Sequence, residues 1–400
     1  MLRIQFTLLF LGLFILTACQ TVPLAAPAIA TPSLPAGSST PTSAPALSPT
    51  AIPSPTISIP TGTASGNATD VATATKPDLD PEPTATPVPT NPPLTTLLFT
   101  GVIVPARCVQ AAIDANGNPN YPYEDVQDVI TKADLAIGTL NATISDVSPH
   151  TGCIPTYVLV GSSNNADALA WAGFDAMSVA TNHIKNCNTN TCGNRAFFDT
   201  LNNLKRVGIA YVGAGQNLAE AMQPIVLTVN GIRFGIVSLG QIEPMSFAGA
   251  DTPGIAVLNK ENLTAAVATA RQVSDVVIAM PHWGPEDISV PNWIQRNLAK
   301  DLVEAGADIV MGNHTHVVQA IQEINGIPVF YGLGNFVFDQ DLNDHQQGVI
   351  LMLKFEGKKY AGYELIPTHI DPDGRVHVAG PAEAAEILKR IEDASKALTP

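Results

Sequence analysis

Residues 307–340 read ADIVMGNHTHVVQAIQEINGIPVFYGLGNFVFDQ, and this stretch decides the fold. An apolar strand, Ile309-Val310-Met311, runs into a Gly312-Asn313 turn that presents His314 and His316. Residues two apart on a strand share a face, and a turn can re-aim either one. Both imidazoles reach one site if the turn after Gly312 leaves them convergent. Binding groups usually sit on such turns at the ends of a rigid scaffold. An isolated His-x-His is more often a pair of solvated loop histidines. That reading loses ground here because two more histidines, His183 and His282, stand at similar strand ends upstream.

Working outward, apolar runs alternate with helical spacing. Strands are expected at 96–104, 135–140, 176–180, 209–212, 233–239, 276–280, 309–311 and 329–331. Amphipathic helices are expected at 123–131, 166–172, 196–207, 262–273 and 292–305, with a closing helix at 382–397. Such alternation argues an α/β architecture with buried sheets. The strand-rich segment 317–369 reads as antiparallel strands completing a second sheet. No internal repeat is present.

The N-terminus is of a different kind. An arginine, Arg3, precedes an apolar run over 6–16 and the tetrapeptide Leu16-Thr17-Ala18-Cys19. The run is too short and wrongly flanked for an ordinary membrane-spanning helix, so residues 1–19 read as a signal peptide. A small residue before cysteine resembles the bacterial lipoprotein processing box, in which Cys19 becomes the lipidated N-terminus. The expectation is an extracytoplasmic protein, lipid-anchored to the bacterial cell membrane. Residues 20–93 hold 17 of the chain's 33 prolines and no aromatic residue. A segment that cannot bury apolar surface to offset chain entropy stays extended, and it reads as a disordered stalk. The folded domain is therefore 94–400.

Of the chain's formal charge of −15, the folded domain keeps −13 once Arg3 and the stalk's four acids and one lysine are set aside. An acidic domain without a basic cluster argues against nucleic acid as a partner. An acidic substrate would need a metal or a local arginine to hold it. Beyond Cys19 the cysteines are Cys108, Cys153, Cys187 and Cys192, an even number that suggests two disulfides in an oxidising compartment. Cys187–Cys192 is the most plausible local pair, and Cys108–Cys153 would follow. A zinc site is the alternative, for which CxxxxC alone is poor evidence.

The polar residues follow strand ends, as an α/β site requires. They are Thr181-Asn182-His183, Pro281-His282-Trp283-Gly284 and Gly312-Asn313-His314-Thr315-His316. Neutral imidazole is the commonest ligand for borderline transition metals, and an asparagine oxygen can fill a further position. Any one of these histidines alone would more often be structural, but three strand ends with the same chemistry point to a metal-type site. Glu286 and Asp287, just after His282-Trp283-Gly284, are candidates to supply a carboxylate but read more readily as solvated loop acids. Asn335 reads as a turn residue, Phe336 and Phe338 as core, and Trp283 as either.

On VATNH (179–183), GAGQNLAEA (213–221), HWG (282–284) and the stretch 306–340 ending LGNFVFDQ, the chain resembles a family. This is the bacterial capsule or poly-gamma-glutamate synthesis family CapA, whose domain is similar to the calcineurin-like metallophosphoesterases. The resemblance covers roughly 94–387 and implies a four-layer αββα sandwich with a metal site at the strand ends. It implies Asn182, His282, His314 and His316 as metal ligands. It also implies His183 as the group that protonates or stabilises a leaving oxygen, with Arg107 retained.

Two positions depart from the family pattern. Where the first strand normally ends GDVMLGR, this chain has Gly101-Val102-Ile103-Val104-Pro105-Ala106-Arg107, so Val102 replaces an aspartate. Where the next strand is followed by NLE, this chain has Thr139-Leu140-Asn141, so Asn141 replaces an acidic residue and offers only an uncharged oxygen. Each missing charge–cation attraction is worth roughly 4 kcal/mol at an effective dielectric near 20 and about 4 Å. The expectation is one divalent transition metal (Mn, Fe or Zn) rather than a two-metal cluster, held mainly by His282, His314 and Asn182. The loop over 184–193 also departs from a shorter family turn.

Three functions compete. The first is a lipid-anchored surface protein that assists synthesis or export of a capsule-type polymer, meeting the polymer or its synthesis proteins. The second is a working metal-dependent phosphoesterase on an envelope phosphate ester. The third is a non-catalytic module that binds polymer or protein.

Overall fold

The computed structural model describes residues 94–398 apart from 148–149, 151, 186–192 and 243. The signal peptide, the stalk and the Cys187–Cys192 pairing fall outside the described residues.

Fourteen strands build the two large sheets. In chain order they are β1 (Leu94–Ile103), β2 (Leu135–Leu140), β3 (Ala176–Ser178), β4 (Ala210–Val212), β5 (Ile225–Val229), β6 (Ile232–Gly240) and β7 (Val276–His282). They continue with β8 (Ile309–Met311), β9 (Ile321–Ile324), β10 (Ile327–Phe330), β11 (Asn335–Val337), β12 (Gln347–Glu356), β13 (Lys359–Ile370) and β14 (Val376–Val378). The longer helices are α1 (Cys108–Asn116), α2 (Asn164–Ala172), α3 (Gly193–Arg206), α4 (Lys260–Val273), α5 (Trp293–Ala305) and α6 (Pro381–Lys396).

The first sheet runs β14-β13-β12-β1-β2-β3-β4, with β11 paired to the end of β1, and the second runs β9-β10-β8-β7-β6-β5. In each, the strands that carry polar ends are parallel: β1 to β4 in the first, β6, β7, β8 and β10 in the second. Their C-terminal ends therefore lie together at one edge of each sheet. Antiparallel strands flank these parallel centres. Two of the hairpins turn on Asn-Gly, with Asn230 and Gly231 at φ 50° and 77° and Asn325 and Gly326 at 52° and 81°. Left-handed backbone at both central residues matches the twist of the flanking strands, which is why Asn-Gly is favoured there.

Strand alternation explains the layering. Leu97 and Phe99 of β1 join Phe234, Ile236, Ile278 and Leu351 in the core between the sheets. Leu98 and Val102 of the same strand face outward, packed with Val109 and Ile113 of α1, Leu169 of α2 and Phe197 of α3. On the far side, Val237, Val277 and Val310 pack on Leu263 and Val267 of α4 and Leu302 of α5. Side chains of one strand thus feed two cores, as period-two geometry demands of a sheet buried on both faces. The result is a four-layer αββα sandwich, as the resemblance implied. Helix α5 starts on a capping box in which Asn292 and Gln295 satisfy each other's backbone N–H groups. Helix α6 sets Ile387 and Ile391 into the inter-sheet core.

Three expectations change. The antiparallel strands of the last third do not all complete the second sheet: β9 and β10 do, but β12, β13 and β14 extend the first sheet from the edge of β1. The helix expected at 123–131 is a 3-10 turn (Tyr121–Tyr123) and a short helix (Gln127–Ile130). Helix α1 was not foreseen. Cys108, at its start, is bonded to Cys153, the second pairing expected from the cysteine count.

Candidate functional site

The site sits where the parallel strands of both sheets end. Gly312, the first residue after β8, lies so close to its neighbours that a Cβ there would fall 2.2 Å from the Tyr331 carbonyl oxygen and 2.3 Å from Trp283 Nε1. Asn313 follows, its N–H on the Pro281 carbonyl at 3.0 Å and its Nδ2 donating to Thr139 Oγ1 at 2.6 Å. That last bond ties the end of β8 to the end of β2, across the two sheets. His314 and His316 then take φ values of 107° and 60°. Non-glycine residues with positive φ cost about 1–3 kcal/mol each and persist only where the surroundings impose them, most often at functional sites.

The turn does leave the histidines convergent. His282, at the end of β7, places Nε2 2.9 Å from Asn182 Oδ1 and 3.2 Å from His314 Nδ1. Asn182 follows β3 and is held by its carbonyl, which accepts from Ser246 Oγ at 2.9 Å. Three strand ends thus bring one amide oxygen and two ring nitrogens to a common point. Ligands bound to one cation at about 2.0–2.2 Å lie roughly 3 Å from each other, the spacing seen here. The Nδ1 of His282 is buried with no partner, so it is the nitrogen that would carry the proton of a ring bound through Nε2. Among the described residues no group of three or more His, Cys, Asp or Glu side chains is set to hold a metal ion. The donor set on hand is two imidazoles and an amide: it fits one cation of the borderline class and falls short of two.

His316 stands apart from this trio. Its Nδ1 faces Asn335 Oδ1 at 2.8 Å, and Asn335 Nδ2 donates to the His345 carbonyl at 2.9 Å, which fixes the amide. Since Oδ1 only accepts, His316 carries its proton on Nδ1 and offers Nε2 outward. Asn335 therefore touches the site and does more than close a turn. Asn141 is also not in the trio: its Oδ1 accepts the His183 N–H at 3.0 Å, and its buried Nδ2 has no partner. Val102 is wholly buried among apolar residues.

Burial keeps the imidazoles neutral. It pushes His282 well below the usual histidine range and His314 down to about 3, the neighbouring histidines adding to both. Burial first and His316 second bring His183 down to about 4, against a raising hydrogen bond to the Tyr157 backbone. His316 is lowered by burial too, opposed by Asn335 and Glu286. Neutral imidazole is the form that binds metal.

A cavity of about 970 Å³ opens beside the trio, with His183, His316 and Phe338 on its wall. Five carboxylates line it, against Arg107, and Arg107 is already paired with Asp339. Its guanidinium also donates to the Thr156 carbonyl at 3.1 Å and lies 4.9 Å from the Phe338 ring centre. An anion entering the cavity would need a bound cation to attract it. Phe336 is core, as expected, whereas Phe338 faces both the core and the cavity. Trp283 resolves to core: it is fully buried, stacked on Tyr331, with Nε1 on the Tyr331 carbonyl at 3.0 Å. Glu286 and Asp287 stay half solvated but reach the site, Glu286 toward His314 and His316 and Asp287 onto His345 Nε2 at 2.7 Å.

The chain is thus a four-layer αββα sandwich that gathers ring nitrogens and an amide oxygen at its strand ends. The family model described as bacterial capsule synthesis protein PGA_cap matches residues 96–340, and the chain belongs to that family. It is 27% identical over 286 residues to the PGA biosynthesis protein CapA of Bacillus subtilis (strain 168), covering 71% of this chain and 72% of that protein. It is 26% identical over 311 residues to the capsule biosynthesis protein CapA of Bacillus anthracis, covering 75% and 74%. Among solved structures, a putative 5′-nucleotidase from Staphylococcus aureus is similar with a TM-score of 0.44 at 14% identity, covering 75% of this chain and 58% of that one.

Proposed function

We propose that this chain assists synthesis or export of a capsule-type polymer, poly-gamma-glutamate or one like it, from the outer face of the cell membrane. The observation that carries this reading is the family match across most of the folded domain. Relatives named for PGA and capsule biosynthesis, matched over more than two thirds of their length, support it. Cys19 is the anchor in this reading, and the proline-rich segment holds the domain away from the membrane.

Asn182 Oδ1, His282 Nε2 and His314 Nδ1 would hold one divalent cation. Lewis-acid chemistry is what such a cation would supply there. His183, neutral and on the cavity wall, is placed to exchange a proton with a ligand in the cavity. Arg107, spent on Asp339, shapes the wall. The two-metal chemistry of a full phosphoesterase needs carboxylates that Val102 and Asn141 do not provide. Polymer contact belongs outside the acidic cavity, since the four carboxylates beyond the Arg107–Asp339 pair repel a polyanion.

Deleting the gene in its own host tests this reading. Surface polymer, measured as amino acid released by acid hydrolysis of capsular material, should fall to background and return with the wild-type gene. Unchanged polymer would sink the proposal. In the same strains, Cys19→Ala should move the protein from the membrane fraction to the medium; retention in the membrane contradicts the anchor.

A further inference from the structure

We propose that Glu286 is the positioning carboxylate of His314, supplying from a loop the negative charge that Val102 and Asn141 no longer supply from the strand ends. The inference rests on the one-cation reading above. A single oxygen, Glu286 Oε1, lies 3.8 Å from His314 Nε2 and 3.9 Å from His316 Nε2. These are the ring positions left over once the other nitrogens are committed. His314 Nδ1 faces His282, and His316 Nδ1 is held by Asn335. When His314 presents the lone pair of Nδ1 to a cation, its proton sits on Nε2 and points toward Glu286. A carboxylate taking the second N–H of a metal-bound histidine fixes its tautomer and raises its basicity.

The loop that carries Glu286 is anchored at the right place. Gly284 takes φ 86° directly after Trp283, and a Cβ there would fall 2.4 Å from the Gln295 side chain. Asp287, at φ 64°, donates its N–H to the carbonyl of Thr315 at 3.0 Å. Thr315 is the residue between the two histidines. The Asp287 carboxylate then holds His345 Nε2 at 2.7 Å. Glu286 is thus fastened to the histidine turn through its neighbour's backbone and its neighbour's side chain. A freely solvated acid needs neither tie. The gap of 3.8 Å is about 1 Å longer than a charge-assisted hydrogen bond, which a half-exposed glutamate closes by rotating its own side chain.

The test is a titration of the full chain in detergent with Mn(II), Zn(II) and Co(II), followed by calorimetry and by the visible Co(II) spectrum. Glu286→Gln, which keeps shape and removes charge, should leave the metal-free melting temperature unchanged and weaken binding about 10- to 100-fold. It should also shift the Co(II) absorption bands, which a purely structural role would not move. Glu286→Asp should recover part of the affinity. Wild-type affinity and spectrum in Glu286→Gln overturn the proposal alone. No metal uptake by the wild-type chain overturns it together with the one-cation reading.

Discussion

Two groups of strand ends, drawn from both sheets, bring opposite kinds of residue to one site. Strands β3, β7 and β8 lead to buried donors, Asn182, His282 and His314, with His282 Nε2 2.9 Å from Asn182 Oδ1 and 3.2 Å from His314 Nδ1. Strands β1 and β2 end in Val102, sunk in an apolar core, and Asn141, whose oxygen serves the His183 backbone. Around the β1 end cluster ties of another sort: the Cys108–Cys153 bond and the Arg107–Asp339 pair, with Asp339 also accepting the Cys108 N–H at 2.9 Å. One end has kept its chemistry and the other has become structure. The two should then fail differently when broken.

The largest effect is expected on the structural side. Replacing Cys108 and Cys153 by serine opens a loop spanning 45 residues. The chain-entropy account assigns such a crosslink about 4 kcal/mol. Denaturant unfolding of the double variant should show that loss, while cation affinity at the trio stays at its wild-type value. A matching fall in affinity would show that the disulfide wall belongs to the site and would break the contrast.

The chemical side should behave the other way. His282→Ala removes the nitrogen on which Asn182 and His314 converge, and cation affinity should fall at least about 100-fold, or about 2.7 kcal/mol. The metal-free protein should suffer less. The substitution leaves a small cavity but also removes a buried Nδ1 that has no partner, and these terms oppose each other. Calorimetric titration beside thermal unfolding separates the two, and retained binding in His282→Ala would remove the trio as a site.

How far this division could be read in the sequence depends on which contacts are local. The strand ends at Asn182, His282 and His314 were legible because each follows an apolar run with a turn signal directly after it. The losses at Val102 and Asn141 were legible as residue types. Sheet membership was not: β12 and β13 read as strands, yet nothing in their own sequence says that β12 pairs with β1, more than 240 positions away. The placement of the Glu286 loop is hidden for the same reason, since the bond that fixes it runs from Asp287 to Thr315 and appears only once both are folded. Asn335 likewise looked like a turn residue until His316 met its oxygen.

The smallest effect expected is the most exacting test of the contrast. Asn141→Asp keeps the shape and still offers an oxygen to the His183 N–H, but it puts a charge where the buried Nδ2 now has no partner. Without a cation, that buried carboxylate is costly, because its lost hydration is repaid only by one backbone hydrogen bond. With a cation, the same charge gains an attraction of roughly 4 kcal/mol at an effective dielectric near 20 and about 4 Å, of which desolvation takes back the larger part. The net expectation is cation binding tighter by about tenfold, or about 1.4 kcal/mol, with a lower melting temperature for the metal-free variant. A variant that melts lower but binds no tighter would place the β2 end beyond reach of the trio, and the division between the two groups of strand ends would then be one of distance rather than of charge.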